Sequence, residues 1–348
     1  MRIVLCGVQV PFVRGGAEYL CDNLYHELIK RNFETEYIKI PFKWYPSCEI
    51  ISGSLIWKLL DLSESNGLKI DGVITTKFPS YLVSHQNNVV WLIHQHRSAY
   101  DKSHTCFDDL IPLDKYGDIV RRKIHAMDTQ SLNSVKKVYT IANNVTQRLL
   151  RYNYIKGSTL YPPPPQAGKY YCKKSEDYVL FPSRLDSIKR QDLVIESMKW
   201  VKSDIKLKIV GKGPELARYQ KLASDYRVSK RIDFCGEVTD EELLDLYANT
   251  SGVLYTPYDE DLGFVTMESF FSKKPVITCS DSGGTLEFVD DGVNGFISQP
   301  DPQKIAEKID TMIQQGLSGK MGEQGYNKIQ GMNLSWDNVI EHLVEPMR

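Results

Sequence analysis

Two carboxylates, Glu260 and Glu268, flank Gly263 in the stretch Tyr258–Glu268. A carboxylate accepts hydrogen bonds from vicinal hydroxyls, and a helix opening near Phe264–Val265 would present unpaired backbone N–H groups between the two acids. Two separated acceptors with an anion site between them suit a ligand of the form sugar–diphosphate–ribose. A surface acidic loop ahead of an amphipathic helix is the other reading. Glu268, however, lies among Met267, Phe270 and Phe271, where a buried carboxylate without a partner is costly.

Arg184 and Lys189 stand in the segment Ser183–Arg190, after a strand-like run. Arg supplies a planar fork and Lys a compact charge, so a pair at a strand end can clamp a diphosphate; a solvated basic turn is the alternative. Gly15 and Gly16 follow the first apolar run and open a helical stretch, where glycine lets a backbone approach a phosphate. The Gly-x-Gly-x-x-Gly fingerprint is not matched there, and Gly211-Lys212-Gly213 lacks the Walker spacing. His94, His96, Arg97, Tyr100 and Asp101 crowd the loop after another strand. Two histidines at i and i+2 make a poor zinc site, so hydrogen-bonding or acid–base roles fit better, with local structural bonding as the alternative. Ser280–Glu287, with Gly283-Gly284, is a further small-residue loop after a strand. No Gly-x-Ser-x-Gly elbow or His-Glu-x-x-His motif supports a hydrolase.

These loops need strands to end on and helices to begin. Short apolar runs alternate with helical stretches, the pattern of a parallel sheet with crossover helices. In the first half, strands are expected at 2–8, 34–40, 73–75, 89–93 and 138–141, and helices at 16–31, 118–133 and 144–152. Pro162–Pro165 cannot join a sheet interior and marks a domain boundary. The alternation then restarts, with strands at 178–182, 206–210, 231–235, 252–255 and 275–279. Helices are expected at 187–201, 214–227, 239–249, 264–272 and 302–315, with another beginning at Trp336. Thr239 and Glu242 form a capping box. Two Rossmann-like units follow, and in such sheets ligands bind beyond the carboxyl ends of the strands.

The chain has 348 residues, 42% hydrophobic and 25% charged, enough for two cores. A formal net charge of −1 gives no global argument for nucleic acid. Seven cysteines without a Cys-x-x-Cys pair fit a reducing compartment better than a disulfide framework or a zinc site. The chain enters a strand directly and has no run of the ~18 apolar residues that span a bilayer, so a cytoplasmic location is expected. Arg121-Arg122-Lys123 could meet anionic lipid at the inner face of the cell membrane; a solvated helix face is the other reading.

Residues 178–297 resemble the retaining glycosyltransferases of family 4, which have the GT-B fold. The likeness runs in order through FPSRLDSIKRQDLVIESM, IVGKGPE, FCGEVTDEELLDLYANT and YDEDLGFVTMESFFSKKPVITCSDSGGTLEFVDDGVNGF. The first half matches more loosely, at Gly15–Glu18, His94–Asp101 and Tyr161–Pro163. The resemblance implies an α/β chain of two Rossmann-like domains facing each other across a cleft, with a C-terminal helix crossing back to the first. The expected domains are 1–163, joined by 325–348, on the acceptor side, and 164–324 holding the nucleotide sugar.

The resemblance also implies roles. Glu260 would contact donor-sugar hydroxyls and Glu268 the ribose, in the family's Glu-x7-Glu pattern. Arg184, Lys189 and the N–H groups of Gly263, Phe264 and Val265 would hold the diphosphate, with Gly15 and Gly16 bordering it. Val238 would lie near the base, with Gly211 and Gly213 lining that pocket. His94 stands where relatives often carry a histidine near the reacting sugar, and His96 competes for that place. Ser183 replaces a frequent glycine, and Glu260-Asp261-Leu262-Gly263 departs from the common Glu-Gly-Phe-Gly, a change that bears on donor choice.

The expected reaction moves a sugar from a UDP- or GDP-linked donor to an acceptor hydroxyl with retention, by a front-side route. No cofactor or metal is expected. A glycan or lipid-linked acceptor, in cell-surface polysaccharide or glycolipid synthesis, is the expected partner, with no nucleic acid. A same-fold sugar-nucleotide epimerase and a non-catalytic nucleotide-sugar-binding protein are the alternatives.

Overall fold

The computed structural model describes residues 1–13, 15–110 and 115–348. The chain divides into two compact units, Met1–Pro165 with Ser335–Arg348, and Gln166–Leu334. The first division falls at the proline run. The returning segment begins at Ser335 rather than at 325, because the preceding helix packs with the second unit.

The first unit is built on a parallel sheet. Its strands are β1 (Arg2–Gln9), β2 (Glu34–Pro41), β5 (Gly72–Thr75), β6 (Asn88–Leu92), β7 (Lys137–Thr140) and β8 (Ser158–Thr159), in the order β2-β1-β5-β6-β7-β8. A short hairpin, β3 (Glu64–Ser65) and β4 (Leu68–Lys69), stands apart. β5 and β6 are buried throughout, as expected of parallel strands covered on both faces. The helices are α1 (Gly16–Lys30), α2 (Cys48–Leu59), α3 (Gly117–Ser134) and α4 (Asn143–Asn153). α11 (Trp336–Val344) returns to this unit and sets Trp336 edge-on to Trp91 of β6, with ring centres 6.2 Å apart. Arg121 turns to Asp118 at 2.8 Å and Asp108 at 3.3 Å, so of the basic triplet only Arg122 and Lys123 remain exposed.

The second unit repeats the plan. Its strands are β9 (Tyr178–Pro182), β10 (Lys206–Val210), β11 (Ile232–Gly236), β12 (Gly252–Leu254), β13 (Val276–Cys279) and β14 (Gly295–Ser298), all parallel, in the order β11-β10-β9-β12-β13-β14. This is the dinucleotide-fold order, and its direction of winding reverses between β9 and β12. The helices are α5 (Gln191–Ser197), α6 (Leu216–Asp225), α7 (Asp240–Asn249), α8 (Phe264–Phe271), α9 (Pro302–Gln314) and α10 (Ser318–Gln330). The capping box at α7 is present: Glu242 N–H donates to Thr239 Oγ1 at 3.2 Å and Thr239 N–H to Glu242 Oε2 at 2.8 Å. Asp301 caps α9 by accepting from Gln303 and Lys304, with Pro302 in the first turn.

One expected helix is broken. Residues 187–201 form a single turn at Ser187–Lys189, a left-handed residue at Arg190 (φ 55°), and then α5. The side chain of Arg190 accounts for the break. It donates to Thr256 O at 2.8 Å and Pro257 O at 3.0 Å, and grips both oxygens of Asp281 at 2.6 and 2.8 Å. One residue thereby ties together the loops that leave β9, β12 and β13.

Candidate functional site

Neighbouring strands whose connections run to opposite sides leave a crevice at their carboxyl ends. In the second unit those strands are β9 and β12, and the segments leaving them are 183–190 and 255–263. Asp186 shapes the first, accepting from Ile188 N–H at 3.4 Å, and Tyr258 N–H joins the second to Ile188 O at 2.9 Å.

Lys189 and Glu260 meet here. The Lys189 ammonium forms an ion pair with the Glu260 carboxylate and lies 3.3 Å from the Tyr255 hydroxyl. Their side chains are only 18% and 22% exposed, so this pair is screened less than a surface pair. Arg184 behaves differently: it is half exposed and turns back to Asp186 at 2.6 Å. The two cations expected to act as one clamp therefore hold different partners in this structure.

Glu260 is held by its backbone. Its N–H donates to Ser282 O at 3.2 Å, and its carbonyl accepts from Gly284 N–H at 2.7 Å. Gly283 makes this approach possible: at φ 60° a Cβ would lie 2.5 Å from Asp259 Oδ1 and 2.6 Å from Glu260 O. The Gly283-Gly284 loop thus serves to seat the acidic loop. Gly263 starts α8 in the left-handed region (φ 82°), and a Cβ there would come within 2.7 Å of Thr285 Oγ1. Phe264 and Val265 open the helix, where N–H groups have no intrahelical carbonyl to reach. Leu262 is 2% exposed; its departure from the family's phenylalanine is a packing change inside the unit.

Glu268 lies one turn into α8 and is half-buried. Tyr247, from α7, donates its hydroxyl to Glu268 Oε2 at 2.6 Å. Tyr170 stacks on Phe271 with ring centres 5.9 Å apart and faces the same carboxyl. Burial pushes the Glu268 carboxyl up to about 7, against the hydrogen bonds from the two tyrosines, which lower it. Val238 is half-buried, between the end of β11 and the Thr239 cap. Gly211 and Gly213 have a reason of their own to be glycine. A Cβ on Gly211 would lie 2.2 Å from Ser183 O, and one on Gly213 2.1 Å from Leu185 O. They let the turn after β10 pack on the turn after β9.

In the first unit, Gly15 caps α1 in extended backbone (φ −154°), and Gly16 is the first helical residue. Glu18 folds back to accept from Gly15 N–H at 3.0 Å and pairs at 2.6 Å with the buried Lys77. The two histidines part company. His96 lies against the rings of Phe78 and Phe42, at 5.7 and 6.2 Å, and burial lowers its imidazole to about 4, with nearby His94 and Lys102 acting in the same sense. It is a neutral packing histidine. His94 is half-buried, with Nδ1 2.8 Å from Gln95 O. A carbonyl can only accept, so in the neutral ring Nδ1 carries the proton and Nε2 is the acceptor.

Sequence reasoning missed Tyr247, Tyr255 and the tie made by Arg190. Arg190 lay within a recognised motif, but the tyrosines carried no local signal. No group of three or more metal-ligating side chains occurs among the described residues. Nor does any helix among them have the length and apolarity to cross a membrane.

Two parallel-sheet Rossmann-like units, one with charged loops at its switch point, define an α/β protein of the GT-B class. Solved structures of that class match nearly the whole chain at low identity. Sucrose-phosphate synthase from Thermosynechococcus elongatus matches with TM-score 0.76 at 15% identity, over 98% of this chain and 97% of that one. WaaG, a glycosyltransferase involved in lipopolysaccharide biosynthesis, matches with TM-score 0.73 at 15% identity, over 98% of each chain. Residues 167–328 match the family described as glycosyl transferases group 1. Among curated relatives, the human alpha-1,3/1,6-mannosyltransferase ALG2 is 31% identical over 112 residues, which is 32% of this chain and 27% of ALG2. An uncharacterized glycosyltransferase of Methanocaldococcus jannaschii is 26% identical over 172 residues, 49% of this chain and 47% of that protein. The chain thus spans about a quarter to a half of the length of these relatives.

Proposed function

We propose that this chain is a glycosyltransferase that moves a sugar from a nucleoside diphosphate sugar to an acceptor hydroxyl, with retention of anomeric configuration and without a metal. The observation that carries the reading is the half-buried Lys189–Glu260 pair at the β9/β12 switch point, beside the opening N–H groups of α8. Named glycosyltransferases among the relatives, and the UDP and glucose held by the related HepE of Anabaena, support it.

Charge develops on the leaving phosphate as the glycosidic bond breaks. Lys189 and the N–H groups of Phe264 and Val265 stabilise that charge through preorganised electrostatics. Glu260 receives donor-sugar hydroxyls and Glu268 the ribose hydroxyls. Arg184 joins Lys189 on the diphosphate by leaving Asp186, an exchange of one anion for another. Val238, Gly211 and Gly213 border the base. In the first unit His94, not His96, serves the transferred sugar, and Gly15 and Gly16 serve the diphosphate. The acceptor is a glycan or lipid-linked glycan, and the exposed Arg122 and Lys123 are the residues of the basic triplet left to meet a membrane surface.

The test is incubation with UDP- and GDP-linked hexoses and a panel of glycan acceptors. Release of the nucleoside diphosphate together with a sugar-bearing acceptor is the expected outcome. Conversion of the nucleotide sugar alone, with no nucleotide released, would contradict it, as would binding without turnover across the panel.

A further inference from the structure

Beneath the loop that carries His94 lies a buried acid with no part in the reaction described above. Asp128, on α3, is fully buried. Its Oδ2 accepts from the Tyr100 hydroxyl at 2.7 Å and from Gln95 Nε2 at 3.2 Å. Gln95 Nε2 also donates to Asn153 Oδ1 of α4 at 2.9 Å, and Asn153 Nδ2 to Thr129 Oγ1 at 2.8 Å. Gln95 and Tyr100 are 2% and 3% exposed and bracket the segment between them. The path to the histidine is short: Asp128 holds the Gln95 side chain, and the Gln95 carbonyl lies 2.8 Å from His94 Nδ1.

A carboxyl without water is costly unless its partners are in place. Burial pushes Asp128 up to about 7, opposed by the hydrogen bonds from Tyr100 and Gln95 and by the nearby Tyr81 hydroxyl, which makes no hydrogen bond of its own among the described residues. The titratable groups facing it are Tyr81, from the turn Ser80–Leu82, and Tyr100; burial raises both phenols, so both stay neutral and Tyr100 remains a donor. His125 of α3 lies against the other side of this cluster, its ring tilted over Tyr100 with ring centres 4.2 Å apart.

We propose that Asp128 is a positioning residue for His94: by holding the side chains of Gln95 and Tyr100, it fixes the carbonyl against which the imidazole is oriented. The catalytic consequence rests on the glycosyltransferase reading, but the structural one does not. Amide hydrogen exchange and turnover separate them, using the full chain with Asp128→Leu, Asp128→Asn and His94→Ala.

Asp128→Leu is expected to raise exchange across residues 94–101 by about tenfold, as a lost pair of buried hydrogen bonds should, while β1 and the second unit keep wild-type rates. Asp128→Asn, which keeps an acceptor for Tyr100, is expected to restore the wild-type pattern. Turnover by Asp128→Leu should fall with the donor KM unchanged, and adding Asp128→Leu to His94→Ala should cost nothing more. Exchange rising evenly across the first unit, an Asn variant no better than Leu, or independent losses in the double variant would each overturn the proposal. If Asp128→Leu does not fold, Gln95→Leu takes its place with the same expectations. Absence of transfer by the wild type would count against the proposed function and leave the exchange arm to decide this one.

Discussion

Lys189 and Glu260 neutralise each other, and that sets what an arriving ligand must do. A diphosphate competes for the ammonium, and sugar hydroxyls replace it at the carboxylate. Lys189→Ala strands Glu260 beside Tyr255; kcat/KM should fall on the order of a hundredfold with the fold intact, and near-normal turnover would remove Lys189 from the site. Glu268 gives a pH signature. Burial keeps its carboxyl protonated below about 7, whereas a ribose hydroxyl donates best to the ionised form. Nucleotide affinity should therefore rise with pH through about 7 and then level off. Calorimetric titration across pH checks it; a flat profile, or one kept by Glu268→Gln, would refute the ribose role. The acids and cations were legible in the sequence because their types and spacing carry the chemistry. Tyr247 was not: it reaches Glu268 from another helix, and no local pattern encodes that meeting.

The elements of the second unit were legible wherever an apolar run was short and bounded. The periodicity of 187–201 concealed the break at Arg190, because tertiary bonds to the loops after β12 and β13 override helical propensity. α2 was missed for another reason: its apolar residues are spread around the helix, with Ile50 and Trp57 buried and Leu55, Ile56 and Leu59 exposed, so it shows no stripe. β14, at Gly295–Ser298, offers only Phe296 and Ile297 as an apolar run, and α10 interrupts its helical pattern with Gly319, Gly322 and Gly325. A glycine's demand for space is likewise silent until the neighbour is known. Gly283→Ala should cost about 1–3 kcal/mol, through positive φ and the clash with Asp259 and Glu260, and should displace the acidic loop. Urea unfolding and nucleotide affinity read the two effects; wild-type values in both would show that the loop is not seated this way.

At the scale of the whole molecule, the doubled α/β alternation and the proline run were readable because a parallel sheet repeats its signature. The beginning of the returning segment was not, because helix pattern alone does not say which unit a helix packs on. Stability carries its own pH test. Between about pH 4 and 7 the folded chain holds a proton on Asp128 that the unfolded chain has released, so wild-type stability falls as pH rises. His96, lowered to about 4, acts in the opposite sense within the same window. Asp128→Asn isolates the first effect. Relative to that variant the wild type should lose up to about 1.4 kcal/mol per pH unit across the window and change no further above it, and a constant difference in urea unfolding would contradict the assignment. The most direct test of the account is a crystal of this chain soaked with the nucleotide sugar that most raises its melting temperature. The expected density has its phosphates against Lys189 and the N–H groups of Phe264 and Val265, and its ribose against Glu268. Phosphates bound away from the loops that follow β9 and β12 would contradict it.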